Sequence, residues 1–202
     1  MLGLFSDPAQ LGIFVAALLL AITVHEAAHA YLADRLGDPT PRLQGRLSLN
    51  PLVHLDLWGT LLLFLAGFGW GKPVQFDPYN LKNPRRDAAL ISFAGPVSNI
   101  LAATLASFLL RLLPDADLLF ISIIRLNVFL AVFNLVPVHP LDGGKVLSAL
   151  LEPEQARAFD NFIGRYGIFI LILLILPIWG GAPLLFAFLS PLINLLMGLF
   201  LP

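Results

Sequence analysis

Long apolar runs constrain this chain more than any other feature of its sequence. The hydrocarbon core of a bilayer is about 30 Å thick, and a helix needs roughly 20 mostly apolar residues to cross it. Only 12% of the 202 residues are charged, whereas a soluble domain has roughly a quarter. We therefore expect an α-helical polytopic membrane protein with about five transmembrane helices. The predicted spans are residues 11–32, 88–113, 118–138 and 162–179, with a fifth candidate at residues 183–201.

The stretch between the first two spans has a different pattern. Residues 57–70 hold too few apolar residues for a comfortable crossing, and prolines and glycines flank them, so a re-entrant or interfacial segment is expected. Residues 46–49 and 73–76 have the pattern of short strands that pair in a small cytosolic β-hairpin, whose edge would pair with an unwound substrate. We expect one domain over residues 1–202, with a core at 10–151 and a C-terminal helical hairpin at 160–202.

Positive charges indicate how the chain lies across the membrane. Lys and Arg residues cluster within residues 34–87 and are absent before the first span. The positive-inside rule therefore places that segment in the cytosol and the N-terminus outside, in the cell (inner or cytoplasmic) membrane. No cleavable signal is expected, because no basic residue precedes the first apolar run. Arg125 lies within the third predicted span, so either it is buried against protein or that helix enters the membrane later.

The charge balance and the absence of cysteine narrow the function. A net charge of −1 gives no basic stripe for nucleic acid. Because the chain has no cysteine, disulfides and thiolate metal sites are excluded, and any metal must be held by His, Asp or Glu. Nothing in the sequence indicates an oligomeric state.

The first span carries the strongest chemical signal. His25, Glu26 and His29 form an H-E-x-x-H motif near its cytosolic end. Residues four apart share one helical face, so the two imidazoles can converge on one Zn²⁺ while Glu26 takes a proton from the metal-bound water. Each ionisable group at membrane depth costs on the order of 2.5–3.5 kcal/mol, and a divalent cation would offset that cost. The alternative is a His–Glu pair near the interface without a metal.

A catalytic zinc needs a third protein ligand and one open position. Asp142 is the best candidate, because it follows an apolar span that Pro137 and Pro140 interrupt, and an unwound helix end can bring its carboxylate inward. The alternative is that Asp142 caps a short helix at residues 143–151.

Other polar and small residues admit a structural or a chemical interpretation. His54 is either a polar contact in the cytosolic loop or a neighbour of the site with a gating role. His139 is either a solvent-facing loop residue or one that tunes or competes for the metal. Gly95, Pro96 and Asn99 are expected to serve helix packing, because small residues let membrane helices approach closely and Asn99 can bond a neighbouring backbone.

The motifs resemble the site-2 protease family of intramembrane zinc metalloproteases, and most closely its compact prokaryotic branch without PDZ or CBS domains. The resemblance rests on H-E-A-A-H at residues 25–29 and F-N-L-V-P-V-H-P-L-D-G-G at residues 133–144. One departure is His139, where an apolar residue or proline is expected. Further similarity lies at residues 31–40, 45–51, 54, 71–74 and 94–99.

The resemblance implies a role for each residue of the two motifs. His25, His29 and Asp142 would bind one Zn²⁺ per chain, and Glu26 would be the general base and acid. Asn134 would hydrogen-bond the substrate or hold the unwound segment, and His54 would have at most a minor part in substrate binding.

The expected function is that of an intramembrane zinc metalloendopeptidase, which hydrolyses peptide bonds in or near transmembrane segments of membrane-protein substrates. Its partners would be such a substrate and the lipid bilayer, with the active site near the cytosolic side. One alternative is an ion or metal transporter, although transporters commonly contain internal repeats and none is found here. The other is an inactive relative, although such proteins usually lose the acid or a ligand and this chain retains all four residues.

Overall fold

The computed structural model of the chain describes residues 7–66, 69–177 and 183–201, and the part that it describes is helical. No β-strand occurs in these ranges, only an isolated antiparallel bridge between Leu55 and Gly71. The α-helices are α1 (Pro8–Leu36), α2 (Thr40–Leu43), α3 (Leu57–Ala66), α4 (Pro84–Leu112), α5 (Asp117–Asn134), α6 (Asp142–Leu150), α7 (Pro153–Ile175) and α8 (Leu184–Phe200), with 3-10 turns at Pro51–His54, Pro78–Asn80 and Pro114–Ala116.

Residues at both ends of α1 explain its bounds. The Asp7 carboxylate accepts hydrogen bonds from the backbone N–H groups of Ala9 (2.9 Å) and Gln10 (3.4 Å), and Pro8 takes the first helical position, where no N–H is needed. Gly37 ends the helix at φ 111°, in the left-handed region that favours glycine, and its N–H bonds back to the last turn. The first apolar run is therefore one helix of 29 residues.

The predicted spans at residues 11–32, 88–113, 118–138 and 162–179 all correspond to helices. The last of them begins earlier than predicted, at Pro153, and its predicted end lies outside the described residues. The fifth candidate forms α8, whose 17 residues extend about 25 Å, short of the bilayer core. Among the described residues, the helices long and apolar enough to cross a membrane are Pro8–Leu36, Pro84–Leu112, Pro114–Asn134 and Pro153–Ile175.

The helix α4 is the centre of the bundle. It packs against α1, α5 and α6, and α1 and α5 also contact each other. Alanines lie at these contacts, among them Ala17 of α1 and Ala103 and Ala106 of α4, all buried; such small side chains let membrane helices approach closely. The helix α8 packs mainly on α5, while α7 contacts α6 and α8. This arrangement holds α6, which begins with Asp142, against the central helix.

The residues that flank the segment at residues 57–70 lie next to each other. Its helix α3 has 10 residues, about 15 Å and half of a bilayer core. The residues on either side of it meet, because Leu55 and Gly71 form the isolated bridge and the N–H of Lys72 donates to the carbonyl oxygen of His54 at 2.8 Å. A single crossing is therefore excluded, and the geometry agrees with the re-entrant or interfacial segment.

The predicted β-hairpin between residues 46–49 and 73–76 is wrong. Neither stretch is a strand in the structure. Pro73 has no N–H to give to a ladder, and the N–H of Val74 donates to the Glu26 carboxylate at 2.8 Å instead of to a partner strand. In the other stretch, the N–H groups of Arg46 and Ser48 donate to the nearby carbonyl oxygens of Pro41 and Arg46. The strand edge expected to accept substrate therefore does not form.

The carboxylate of Asp38 organises this loop in place of a sheet. It is fully buried and accepts hydrogen bonds from the backbone and hydroxyl of Thr40, from the N–H of Asp77 (2.7 Å) and from the side-chain amide of Asn80 (2.8 Å). Burial raises the pKa of Asp38, but these hydrogen bonds outweigh it and hold the pKa below its ordinary value. The ionised carboxylate therefore ties residues 38–40 to residues 77–80.

Arg125 is exposed on α5. The alternative that it is buried against protein is therefore wrong. The remaining interpretation, that α5 enters the membrane later than residue 118, stays a prediction.

Candidate metal centre

Three of the predicted site residues converge in the bundle. His25 and His29 lie one turn apart on α1, and Asp142 is the first residue of α6. One carboxylate oxygen of Asp142 lies 3.1 Å from Nε2 of His25 and 3.3 Å from Nε2 of His29. The two rings are perpendicular, with centroids 4.6 Å apart. A residue 117 positions from His25 in sequence thus completes a compact group of three metal-ligand types.

Hydrogen bonds at Nδ1, the ring nitrogen that faces away from Asp142, fix the orientation of both imidazoles. Nδ1 of His29 lies 2.7 Å from the carbonyl oxygen of Ile91, which can only accept, so Nδ1 carries the proton. Nδ1 of His25 lies 2.6 Å from Oδ1 of Asn99, whose amide nitrogen donates to the carbonyl of Ala21 at 3.0 Å. That donation assigns Oδ1 as the acceptor. Both Nε2 atoms therefore point unshared electron pairs at the Asp142 carboxylate.

This donor set fits a zinc ion. Two imidazole lone pairs facing a carboxylate repel it unless a cation lies between them. Zinc binds His nitrogen at about 2.0–2.1 Å and carboxylate oxygen at similar distance, which puts neighbouring tetrahedral ligands about 3.3 Å apart. The two nitrogen-to-oxygen distances, 3.1 and 3.3 Å, match that separation.

Local sequence explains how Asp142 reaches α1. The helix α5 ends at Asn134, and the proline-containing residues 135–141 lead into α6. Gly143 makes a close approach possible, because a Cβ there would lie 2.2 Å from the carbonyl oxygen of Leu135. Leu141, not Asp142, occupies the N-cap, and no side chain caps α6. The helix-cap interpretation of Asp142 is therefore wrong, since its carboxylate contacts the imidazoles.

The proximity of α4 to the two rings depends on Gly95. A Cβ at this position would lie 2.5 Å from Nε2 of His29 and 2.6 Å from Nε2 of His25. Those are the atoms that face Asp142, so any side chain larger than hydrogen would displace the group. The expectation that Gly95 serves close helix packing is confirmed, and what it packs against is the candidate metal site.

Asn99 does more than the sequence indicated. Besides its contact with His25, its amide donates to Oδ1 of Asn127 on α5 at 2.8 Å, and the Asn127 amide donates to the carbonyl of Ile123 at 2.9 Å. Both asparagines are completely buried. Sequence reasoning expected only a backbone contact for Asn99 and did not single out Asn127. The available signal was the presence of amides inside apolar spans, where polar residues mark functional sites.

Glu26 lies between the two histidines on α1 and reaches the loop that precedes α4. One carboxylate oxygen accepts the N–H of Val74 at 2.8 Å. This bond holds one oxygen and leaves the other available. The same loop is fastened at residue 77 by Asp38, so the position of Glu26 depends on the loop as well as on the helix.

The structure does not bring Asn134 or His54 into the group of three. The side-chain amide of Asn134 donates to the carbonyl of Leu130 in its own helix at 3.0 Å, and a substrate contact stays a prediction. His54 is fully buried, with Nε2 2.8 Å from the carbonyl oxygen of Ser48 and with no partner for Nδ1 among the described residues. It holds the loop between α2 and α3 together, which agrees with the structural interpretation.

His139 is exposed, in agreement with a loop position. Its backbone lies against α7, where a Cβ on Gly167 would be 2.8 Å from the His139 carbonyl oxygen. This is where the C-terminal helices touch the segment that carries Asp142.

Comparison with known proteins identifies the family. The profile of Peptidase family M50 matches residues 113–176. YwhC of Bacillus subtilis (strain 168), assigned as a zinc metalloprotease, is 40% identical over 177 residues, which are 81% of this chain and 80% of that protein. The chain belongs to peptidase family M50. Rip2 of Mycobacterium tuberculosis, also assigned as a zinc metalloprotease, is 33% identical over 86% of this chain and 71% of that protein.

More distant M50 similarity extends to archaea. The zinc metalloprotease MJ0392 of Methanocaldococcus jannaschii is 23% identical over 141 residues, which are 68% of this chain and 34% of that protein. No solved structure matches the chain.

Membership of M50 confirms the resemblance to the site-2 proteases. The protein is a membrane-embedded zinc-dependent peptidase. The comparisons therefore support the peptidase interpretation over the transporter interpretation.

Proposed function

We propose that this M50 peptidase is an intramembrane endopeptidase that cleaves membrane proteins within or beside their transmembrane segments. One zinc ion would be held by His25, His29 and Asp142. The observation that carries the proposal is that these three groups come together beside α1, a helix long enough to span a membrane. Ionisable groups so placed are costly in lipid, and a zinc ion that neutralises the carboxylate gives them a function.

The depth of the site supports an intramembrane reaction. His25 lies 11 residues before the end of α1 at Leu36, about 16 Å along the helix axis. Arginines at positions 35, 42 and 46 follow, and we propose that they mark the cytosolic surface, with the N-terminus outside. The site would then lie within the inner half of the bilayer, open to water from the cytosolic side.

A zinc ion held by His25, His29 and Asp142 would supply the charge that makes the attacking water more acidic and polarises the scissile carbonyl. Glu26 takes the proton from the attacking water and gives it to the leaving amide nitrogen. Its hydrogen bond from Val74 holds one oxygen, so the free oxygen is oriented for this transfer.

The substrate has to present an unwound backbone, because the amides of an intact transmembrane helix are bound to one another. We propose that Asn134 helps to hold the unwound stretch. Its position at the C-terminal end of α5, eight residues before Asp142, supports this, as does its amide, which keeps one N–H and the carbonyl oxygen beyond the single bond to Leu130.

The test is cleavage of a synthetic transmembrane peptide by the purified protein in liposomes, with zinc measured by elemental analysis. Glu26→Gln is expected to keep zinc and to lose cleavage by about 10²–10⁴-fold, because it removes the general base. Glu154→Gln, which removes an exposed carboxylate on α7, is the matched control and should cleave normally. Undiminished cleavage by Glu26→Gln, or no cleavage by zinc-loaded wild type, would contradict the proposal.

A further inference from the structure

We propose that Lys145 is a further catalytic residue, whose ammonium group donates a hydrogen bond to the carbonyl oxygen of the scissile peptide as that oxygen becomes an anion. This inference rests on the proposed peptidase function and deepens it. Peptide hydrolysis develops negative charge on the carbonyl oxygen, and donors already in place for that charge are commonly the largest contribution to catalysis. Neither sequence motif assigns such a donor.

The position of Lys145 follows from the first turn of α6. It comes three residues after Asp142, so the two side chains lie on neighbouring positions of one helical face. Its ammonium nitrogen lies 4.5 Å from the centre of the Phe76 ring. Phe76 follows by two residues Val74, whose N–H holds Glu26. The side chain of Lys145 thus extends from α6, which carries Asp142, to the loop that binds Glu26.

The aromatic ring gives the ammonium a fixed support. Phe76 packs on a buried cluster formed by Ala33, Leu81 and Ile91, and Ile91 is also the residue whose carbonyl accepts the proton of His29. A cation over an aromatic face is attracted by about 0.5–2 kcal/mol. The ring therefore keeps the ammonium close to the site without neutralising it.

Part of the space around the candidate metal site is occupied. Gly95 of α4 lies against Nε2 of both rings, and Asn99 and Ile91 bind their Nδ1 atoms. In this proposal, a substrate carbonyl approaches from the side on which Glu26 and Lys145 stand.

The charge of Lys145 is not neutralised by a direct contact. No described residue forms a hydrogen bond or an ion pair with its ammonium group, which is exposed to solvent. Because Lys145 is exposed on α6 and no described carboxylate pairs with its ammonium group, that group is free to donate a hydrogen bond to a substrate oxygen.

The chemical step balances with these groups. The water oxygen forms a bond to the carbonyl carbon, the water proton moves to Glu26, and the carbonyl π electrons move to the oxygen, which accepts the hydrogen bond from Lys145. When the tetrahedral carbon collapses, the C=O bond re-forms, the C–N bond breaks, and Glu26 delivers the proton to the departing nitrogen. Lys145 stays protonated throughout and contributes only the hydrogen bond.

The experiment compares three lysine variants in liposomes. Lys145→Met removes the charge at similar length, Lys145→Arg keeps it, and Lys82→Met removes an exposed lysine of the loop before α4 as a control. Lys145→Met is expected to lower kcat by about 10²-fold with KM and zinc content unchanged. Lys145→Arg should restore most of the loss, and Lys82→Met should behave as wild type.

A second measurement does not depend on turnover. A phosphinic analogue of the model peptide, built at the cleavage site that product masses locate, carries a tetrahedral anion in place of the scissile bond. Lys145→Met should weaken its binding about as much as it lowers kcat, and should leave binding of a neutral peptide hydroxamate unchanged.

The outcomes separate this inference from the proposed function. A wild-type protein that cleaves, beside a Lys145→Met protein that cleaves equally or that loses its zinc, would overturn the role of Lys145 alone. A wild-type protein that binds zinc and cleaves no peptide would overturn the proposed function and this inference with it. If Lys145→Arg loses as much kcat and phosphinate affinity as Lys145→Met does while both keep their zinc, the positive charge does not act on the oxyanion and the inference is wrong.

Discussion

The helices α4 and α7 have nearly the same hydropathy and opposite roles. Both are long and apolar enough to cross a membrane. Yet α4 buries ten of its 29 residues, among them Asn99, Ser92 and Ser107, whereas α7 buries three of its 23 residues, Ala156, Ile163 and Gly167. The buried residues of α4 include polar side chains beside the site, whereas the three buried residues of α7 are small or apolar.

The reason is physical. Lipid solvates an apolar side chain as well as protein does, so apolar residues on a transmembrane helix do not drive helix–helix contact. Buried amides and glycines do require particular neighbours. On α4 those neighbours are the two imidazoles, and on α7 the contact is with the backbone of His139.

The largest difference is expected between alanine substitutions of two glycines. Gly95→Ala on α4 should lower cleavage by about 10²-fold or more, with loss of zinc, because its Cβ would overlap both imidazoles. Gly164→Ala on α7 should change neither, since nothing lies within 4 Å of a Cβ there. Parallel zinc analysis and peptide cleavage check both. A Gly95→Ala protein that keeps its full zinc content would contradict the proposed difference between α4 and α7.

A smaller effect is expected for the asparagine pair. Asn99→Leu should weaken zinc affinity about 10–100-fold, because it removes the acceptor that orients His25. Asn99→Asp keeps the acceptor for His25 but turns a second oxygen toward the carbonyl of Ala21 and Oδ1 of Asn127, so it should recover only part of the affinity. Competition with a chelator measures both, and Asn161→Leu, an exposed asparagine on α7, is the control. Equal affinity in Asn99→Leu and wild type would show that the orientation of His25 does not depend on Asn99.

The smallest effect is expected at the contact between α7 and the Asp142 segment. Gly167→Ala places a Cβ 2.8–3.0 Å from His139, and such overpacking typically costs about 1–3 kcal/mol. We expect a lower free energy of unfolding and a decrease in cleavage of less than about tenfold. Gly164→Ala should instead stabilise α7 by about 0.5–1 kcal/mol. Thermal unfolding of both variants measures these changes. A stabilised Gly167→Ala protein would mean that α7 is not tightly packed against this segment.

Much of the candidate site could be predicted because its signals are local. The H-E-x-x-H spacing fixes one helical face, and the prolines before Asp142 mark the end of α5. Hydropathy likewise located the membrane-spanning helices. The link between Asn99 and Asn127 could not be found this way, because it depends on how α4 and α5 are rotated against each other.

Two wrong predictions, the β-hairpin and the helix cap, have a common cause. The hairpin at residues 46–49 and 73–76 was predicted from strand-like composition, but the backbone N–H groups of residues 74 and 77 are bound by the carboxylates of Glu26 and Asp38. Similarly, aspartate is a residue type that often caps helices, but the carboxylate of Asp142 contacts the imidazoles on α1. In both places a side chain distant in sequence competes with local structure, and sequence patterns do not report such competition.

The most direct test of the central claim is the zinc content of the purified protein and of its Asp142→Ala variant, with Asp115→Ala in an exposed turn as the control. The account predicts one zinc per chain in wild type and in Asp115→Ala, and loss of zinc in Asp142→Ala. Full zinc occupancy in the Asp142→Ala protein would contradict it.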